Sequence, residues 1–538
     1  LIRNSFNPAH PGTRIDALGD TASTALAKGL SLVSNLALLN VEGSGMIGVL
    51  GTAERVFATL RDAQVSVVKI SQGSSEHSIC CVVRASQAET GKAALERAFA
   101  PELAQGQIQS VHLETGISVL AAVGDGMAGR PGVAARFLAT LARAHVNLRA
   151  IAQGASERNI SVAITSADET KALRAAHAGF WLSPQTISIG VIGPGKVGAA
   201  LLDQLAENAP RLLAEANIDL RLRALASSRR MWLGEHDPDW QTNWQSAGAA
   251  DLDAFTAHVH AAHLPHAAII DCSANPEVAD RYADWLAAGI HVITPNKQAG
   301  SGPIERYRRI RAAAKAGNAR FRYEATVGAG LPVIQTLRDL ITTGDEVHAI
   351  EGIFSGTLAW LFNKYDGSRP FSTLVREAHA LGFTEPDPRD DLSGTDVARK
   401  LVILAREAGR ELSLSDVEVE SLIPPGLENG SAEDFLNDLA AHDATMQQRF
   451  DAARAHGEVL RYVATLDRSG RARVALLALP GSHAFAHLKL TDNVVQFTTR
   501  RYSENAMVVQ GPGAGPEVTA AGVFADLLRV AAALGARV

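Results

Sequence analysis

The sequence predicts a multidomain α/β protein. A duplicated small α/β unit lies near the N-terminus, an open parallel sheet follows, and an α+β half completes the chain. Three observations predict this. The segment VFATLRDAQVSVVKISQGSSEHSICCVV (56–83) recurs without gaps as FLATLARAHVNLRAIAQGASERNISVAI (137–164). The β-branched run Thr186–Ile192 meets a glycine pattern and then a long helical stretch. Beyond it, apolar strands such as HAAIIDCSAN (266–275) and AGIHVITPNKQA (288–299) alternate with helices, the rhythm of βαβ units.

At 538 residues the chain has room for three or four domains of about 100–200 residues each. With 46% hydrophobic and 20% charged residues it can bury a globular core. A net charge of −6 without a long basic run argues against a nucleic-acid partner. No window approaches the roughly 18 uninterrupted apolar residues of a membrane span. Three cysteines, Cys80, Cys81 and Cys272, form no CxxC and fit a reducing cytoplasm better than a disulfide framework or zinc site. The chain begins at Leu1 with no signal-like region, and the missing initiator Met leads us to expect a piece of something longer.

Each copy of the N-terminal repeat reads as an amphipathic helix, a strand, a Gly-containing turn (Gln72-Gly73-Ser74-Ser75 and Gln153-Gly154-Ala155-Ser156) and another strand. An apolar strand and a Gly-rich loop precede each helix, VEGSGMIGVLGTAER (41–55) and LAAVGDGMAGRPGVAAR (120–136). Such a pair can be a dimerisation scaffold. It can also be a small-molecule sensor, because the loop ahead of each helix offers backbone N–H groups to a carboxylate. The repeated glutamines, Gln72 and Gln153, can then bond an amino acid's polar groups.

After Thr186–Ile192, the residues Gly193, Gly195 and Gly198 complete G-x-G-x-x-G, with Lys196 and Val197 inside the turn. Strand, glycines and helix stand in the order a dinucleotide site requires. The first glycine permits the turn, the second lets a pyrophosphate approach, and the third allows helix and strand to pack closely. A ligand-free tight turn would use the same residues. The following strand, DLRLRALAS (219–227), ends in Ser227-Ser228-Arg229-Arg230 and has no acidic residue there. Arg229 and Arg230 suit a 2′-phosphate, so NADP(H) is expected over NAD(H). Ligands bind at the carboxyl ends of such strands, where Asp271–Ala274, including Ser273, and Thr294–Lys297 fall. Lys297 is either a surface residue or an ammonium near the reacting groups.

In RYEATVGAGLPVIQTLRDLI (322–341), Glu324 precedes a glycine-rich bend and a helix. Carboxylate and outward carbonyls can cage a hard cation, or Glu324 can simply cap the helix. In GIFSGTLAWLFNKY (352–365), Thr357 can hold a substrate oxygen or cap the next helix. The stretch FTEPDPRDDLSGTDVARK (383–400) carries Glu385, Asp387, Asp390, Asp391 and Asp396 with Arg389, Arg399 and Lys400. Pro386 and Pro388 are expected to keep its first half from being helical. Ser393 or Asp391 is expected to cap a helix starting near Gly394 and apolar on one side. Asp396 and Lys400 are i, i+4 neighbours: an ordinary salt bridge worth about 0.3–0.5 kcal/mol if exposed, or a positioned acid and its partner. The ligand spacing of a calcium loop is absent.

Residues 41–182 resemble paired ACT (βαββαβ) domains, the amino-acid-sensing modules of aspartokinases, and FNPAHPGTRI (6–15) resembles the exit from an aspartokinase catalytic domain. The motifs GVIGPGKVG, TPNKQA, YEATVGAGLPVI, GIFSGT and EPDPRDDLSGTDVARK, in this order, resemble homoserine dehydrogenase over 186–538. Together they resemble the threonine-sensitive bifunctional aspartokinase–homoserine dehydrogenase family, without most of the kinase part. The resemblance implies a kinase tail at 1–40, ACT domains at 41–182 and a Rossmann-like NADP-binding domain at 186–323. It implies an α+β catalytic and dimerisation domain at 324–500 and a segment at 501–538 returning to the nucleotide-binding domain, with Gly513 of GPGAG near the nicotinamide.

It further implies reversible reduction of L-aspartate 4-semialdehyde to L-homoserine in threonine and methionine biosynthesis. Lys400 and Lys297 would act at the carbonyl, Asp396 would orient Lys400, and Glu385 and Asp391 would hold the substrate ammonium beside Thr357. Glu324 with the carbonyls of Val327, Ala329 and Leu331 would bind Na+ or K+. Gln72 and Gln153 would lie at threonine sites, and the chain would form dimers or tetramers. Gln298 stands where the family often has a second lysine. A threonine-binding regulatory or assembly fragment with little dehydrogenase activity is the alternative.

Overall fold

The computed structural model describes residues 26–73, 77–183, 185–235, 239–261 and 263–537. The segment 6–15, most of the expected tail 1–40, and Ser74 and Ser75 of the first turn lie outside the described residues. The chain divides into two compact units, 1–184 with 262–265, and 185–261 with 266–538.

The first unit is built on six antiparallel strands: β1 (Gly29–Glu42), β2 (Val67–Gln72), β3 (Ser78–Arg84), β4 (Ser110–Val123), β5 (Ala150–Gln153) and β6 (Asn159–Thr165). Their spatial order is β2-β3-β1-β4-β6-β5. The two long strands β1 and β4 pair at the centre, with Leu32 opposite Leu120 and Leu36 opposite Ile117. Each repeat reads strand–helix–strand–strand–helix, and β4 opens the second. The helices Thr52–Asp62 and Val133–Arg143 both start after a left-handed glycine, Gly51 (φ 83°) and Gly132 (φ 89°). Their apolar faces cover separate cores around Leu39 and Leu60, and around Leu120 and Phe137. The outer strands also meet, since Ser71 Oγ donates to the Ile151 carbonyl at 3.2 Å.

The second unit opens with a seven-stranded sheet: β7 (Gln185–Ile192), β8 (Ile218–Ala226), β9 (Arg230–Leu233), β10 (Gly248–Ala249), β11 (His266–Asp271), β12 (His291–Ile293) and β13 (Phe321–Arg322). The order is β10-β9-β8-β7-β11-β12-β13, parallel from β8 to β13. Strand order reverses at β7, so a crevice forms where β7 and β11 end. Residues such as Ile189, Val191, Ile269 and Ile270 are buried on one face or the other, as a helix-covered parallel sheet demands. The turn after Ala226 leads into an antiparallel strand, β9.

The remaining sheet comprises β14 (Val347–Ile353), β15 (Val417–Val419), β16 (Glu458–Leu466), β17 (Ala472–Pro480), β18 (Asp492–Thr499) and β19 (Met507–Pro512), ordered β15-β17-β16-β14-β18-β19. The helix Thr395–Glu407 packs on it. The final helix Pro516–Ala533 returns to the seven-stranded sheet, where Val523 and Leu527 join Leu201 and Leu205 in one core. Gly522 and Gly330 make that return close: a Cβ on Gly522 would lie 2.6 Å from the Ala329 carbonyl oxygen.

One local expectation needs correction. Pro388 does not exclude a helix, because it occupies the first turn of a short one, Pro388–Leu392, where its missing N–H costs nothing. Asp387 caps it by accepting from Arg389 N at 3.0 Å. Ahead of the helix Thr395–Glu407, Ser393 Oγ accepts from Thr395 N at 3.2 Å, as expected of a capping side chain, and Gly394 between them has φ 72°. Only glycine fits there, since a Cβ would meet the Tyr462 hydroxyl at 2.0 Å.

Candidate active site

The helix Thr395–Glu407 is buried on nearly every side, not on one face as its pattern predicts. It is enclosed because the short helix Lys297–Ser301 comes close: a Cβ on Gly300 would sit 2.9 Å from Ile403 Cγ1. This approach sets Lys297 opposite the first turn of the longer helix. Asp396 then lies between two ammonium groups, Lys297 Nζ to Oδ1 and Lys400 Nζ to Oδ2, both at 2.8 Å. Lys400 also donates to the Phe354 carbonyl at 2.6 Å. The Asp396–Lys400 pair is therefore no exposed helix bridge: the Lys400 side chain retains 11% exposure, against 36% for Lys297 and 42% for Asp396. The cluster opens to solvent on the Lys297 side.

Its electrostatics favour proton donation. Burial pushes the Asp396 carboxyl upward, but Lys400 and Lys297 more than offset this and hold it far below the usual range. Burial lowers Lys400 and Lys297 adds to that, while Asp396 pulls the other way; the net direction is down. The result is an ammonium that gives up its proton more readily than a surface lysine, beside a carboxylate that stays charged.

Asp391 joins the same neighbourhood, since its charge acts on Lys400. Its own carboxyl is pushed up, by burial first. It accepts from Glu385 N at 2.8 Å, which folds the loop so that exposed Glu385 and half-buried Asp391 share one rim. The Thr357 hydroxyl donates to the Phe383 carbonyl at 2.6 Å and ties this loop to the helix Gly356–Lys364. Ser355, not Thr357, caps that helix by accepting from Leu358 N. Gln298 accepts from Arg399 at 3.4 Å. A lysine at position 298 would face the Arg399 guanidinium, which gives the departure noted above a local reason.

At the end of β7, Gly193 has φ 84°, and a Cβ there would meet Ser273 N at 2.9 Å. A Cβ on Gly198 would collide with the Gly193 carbonyl oxygen at 2.2 Å. Packing within the chain therefore accounts for the first and third glycines. It does not account for Gly195, whose Cβ would have nothing within 4 Å. That open space lies at the N-terminus of the helix Lys196–Ala216, which has no side-chain cap. The room beside Gly195 and the N–H groups of Lys196 and Val197 fit a pyrophosphate. Arg230 is committed to its own strand edge: it donates to the Trp244 and Gln245 carbonyls and lies 5.0 Å over the Trp244 ring. Arg229 is exposed at the turn.

Two parts of the cluster carry no sequence signal. The Phe354 carbonyl receives both Lys400 Nζ and, at 3.2 Å, Asn493 Nδ2. Asn493 is completely buried, and Gly513 packs on it so closely that a Cβ would lie 2.1 Å from Nδ2. The segment holding Gly513 is thus adjacent to the Lys400 anchor.

Glu324 is 2% exposed, and its carboxylate accepts from Ile334 N at 2.6 Å and Gln335 N at 2.9 Å, so it caps the helix Val333–Thr342. Burial and the neighbouring Asp526 push it up to about 7. The glycine-rich bend exists, with Gly328 at φ 76° and Ala329 at φ 54°. The Leu331 carbonyl accepts from Val333 N at 2.8 Å, and Val327 is fully buried. In the first unit a cavity of about 360 Å³ is lined by Gly129–Ala134, Gln153, Glu157 and Ile160 among others. Gln72 is exposed at the end of β2.

A lysine–carboxylate cluster in the same unit as a dinucleotide-type cradle, in a chain that also carries a duplicated α/β unit, is the arrangement expected of a nucleotide-dependent enzyme class with an appended regulatory module. The sequence comparisons agree in detail. The family described as homoserine dehydrogenase matches residues 332–528, its NAD-binding domain matches 193–324, and the ACT domain matches 39–99 and 120–180. A maize protein named bifunctional aspartokinase/homoserine dehydrogenase 2, chloroplastic, is 48% identical over 549 aligned residues, covering all of this chain and 60% of its own length. A Candida auris crystal structure described as of unknown function is 38% identical with TM-score 0.60, over 65% of this chain and 99% of that one. A putative homoserine dehydrogenase from Archaeoglobus fulgidus is 26% identical with TM-score 0.53, over 64% and 99%. The chain belongs to the homoserine dehydrogenase family, in the form that carries ACT domains, and spans about 60% of the length of curated bifunctional relatives.

Proposed function

We propose that this chain catalyses the reversible NADPH-dependent reduction of L-aspartate 4-semialdehyde to L-homoserine. The carrying observation is the Lys297–Asp396–Lys400 cluster, with both contacts at 2.8 Å, in the same unit as the Gly193–Gly198 cradle. Bound reduced nicotinamide supplies the hydride. As the aldehyde carbon is reduced, negative charge grows on its oxygen, and the Lys400 ammonium stabilises that charge and delivers the proton. Lys297 is the more exposed of the two and reaches the carbonyl from the solvent side. Asp396 holds both ammonium groups in register, while Glu385 and Asp391 complement the substrate's α-ammonium. In the reverse direction, Lys400 accepts the proton of the homoserine hydroxyl. The direct test is oxidation of NADPH by the semialdehyde, with and without threonine. Absent turnover, with threonine still bound, would favour a regulatory fragment instead.

Glu385→Gln should raise KM for the semialdehyde by about tenfold with little change in kcat, as expected for loss of one exposed charge-assisted contact. An unmoved KM would remove Glu385 from the substrate site. For cofactor choice, Arg229→Ala should raise KM for NADPH by about tenfold and leave KM for NADH nearly unchanged. Arg230→Ala should have the smaller preference, because that guanidinium serves the Trp244 and Gln245 carbonyls. Equal effects of Arg229→Ala on both cofactors would rule out a 2′-phosphate contact.

A sodium or potassium ion at Glu324 and the carbonyls of Val327, Ala329 and Leu331 forms part of this reading. The pairing of buried Glu324 with buried Asp526, answered by Arg529 at 3.6 and 3.0 Å, supports it as a place where added positive charge is favourable. Threonine is the proposed effector, with the Gln153 cavity and, by repetition, Gln72 as its sites. A dimer or tetramer, a cytoplasmic location consistent with three free thiols, and an aspartokinase partner region in a longer parent chain complete the proposal. No helix among the described residues is long and apolar enough to cross a membrane.

A further inference from the structure

We propose that Asp271 is a positioning residue that couples the cofactor loop to the loop bearing Lys297. The inference rests on the dehydrogenase reading above. Asp271 ends β11 and has no exposed surface. Its carboxylate accepts three hydrogen bonds: from Ser273 N at 2.8 Å, from Asn296 Nδ2 at 3.0 Å, and from the Tyr282 hydroxyl. The first holds the loop beside Gly193. The second holds Asn296, the residue immediately before Lys297.

Asn296 is fixed at its side-chain amide and at its backbone N–H. Its Nδ2 also donates to the Asn275 carbonyl at 3.0 Å, its N donates to Thr294 Oγ1 at 2.8 Å, and its Oδ1 accepts from Gln298 N at 3.0 Å, capping the helix that Lys297 begins. Thr294 Oγ1 in turn donates to the Asp271 carbonyl at 2.7 Å. Both ends of Asp271 therefore set the backbone from which Lys297 reaches Asp396. A fully buried carboxylate is costly to keep when an apolar core would serve packing alone. Here the surrounding Tyr282, Trp285 and Leu286 already pack as a core. A carboxylate accepts from Ser273 N, the Tyr282 hydroxyl and Asn296 Nδ2 at once, and these three donors oppose the upward push that burial gives this carboxyl.

The test compares four enzymes with the wild type. Asp271→Asn turns an amino group toward two donors while keeping the shape and the Ser273 contact. It should lower kcat for homoserine oxidation by about 100-fold, the scale of a catalytic group displaced by roughly 1 Å, with KM for NADP+ within about twofold. Asn296→Asp alone should be similarly impaired, because two carboxylates then face each other. The double variant Asp271→Asn, Asn296→Asp reverses donor and acceptor, restores the bond, and should recover at least about tenfold in kcat over either single variant. Tyr282→Phe leaves the Asp271–Asn296 bond in place and should stay within about threefold of wild type. Wild-type kcat in Asp271→Asn, or losses that follow Tm alone with no recovery in the double variant, would overturn the positioning role. An inactive wild type would instead sink the dehydrogenase reading.

Discussion

Replacing Lys400 by methionine should lower kcat in both directions by at least about 1,000-fold and leave KM for NADPH within about twofold. The size follows from the two tasks assigned to one ammonium, general acid catalysis and stabilisation of the carbonyl oxygen's charge, each typically worth at least about 100-fold. The small effect on cofactor affinity follows from separation of roles, since the cradle at Gly193–Gly198 is built from β7 and the helix behind it. Methionine retains the length and apolar stem of lysine in a buried position. Asp396 keeps Lys297 as its partner at 2.8 Å, and the Phe354 carbonyl keeps Asn493 at 3.2 Å, so the fold should survive. Steady-state kinetics with a thermal melt decide the matter. Turnover within tenfold of wild type, in a protein of normal Tm, would show that Lys400 is not the proton donor.

Asp396→Asn should lower kcat by about 100-fold and should also move the pH profile. In the wild type Asp396 raises Lys400, whereas burial and Lys297 lower it. With that carboxylate gone, burial and Lys297 are opposed by Asp391 alone. The proton needed for carbonyl reduction is then lost at lower pH, and the alkaline limb of kcat/KM shifts toward acid. Because the two lysines interact, that limb reports the pair rather than one residue. Asp396 is itself a carboxyl with a depressed folded-state value. Its stabilisation is present above its unfolded value of about 3.9 and is lost as pH falls through the folded value. Wild type and variant should therefore converge in stability only in strong acid. A profile whose alkaline limb does not move would remove Asp396 from the charge network.

Much of this architecture is legible in local pattern. The strand–glycine–helix order at 186–216 announces itself because each element obeys a short-range rule: β-branched residues for the strand, glycines where the backbone turns and packs, and a helical period after them. The repeated segment at 56–83 and 137–164 exposes the six-stranded unit for the same reason. The spacing of Asp396 and Lys400 places them on one helical face without reference to anything else. Local rules also misled. Pro388 read as a helix breaker but sits in the first helical turn, which tolerates proline, and the need for glycine at 394 comes from Tyr462, which leaves no room for a Cβ. Glu324 does cap the next helix, through two backbone N–H contacts.

By itself the sequence determined the order of the domains, the cradle glycines, and the residue types available for charge and proton transfer, since all of these are encoded within a few residues of one another. Tertiary structure alone decided which of them meet. Lys297 reaches Asp396 only because Gly300 lets two helices close on Ile403. Lys400 is buried only because its helix is covered on nearly every side, and its anchor, the Phe354 carbonyl, and Asn493, which shares that carbonyl, come from β14's end and β18. The charge-dense stretch 383–400 therefore acquires its function from segments far away in the chain. The energy of an ion pair depends on the neighbours that exclude water from it, and those neighbours are chosen by packing and not by sequence spacing.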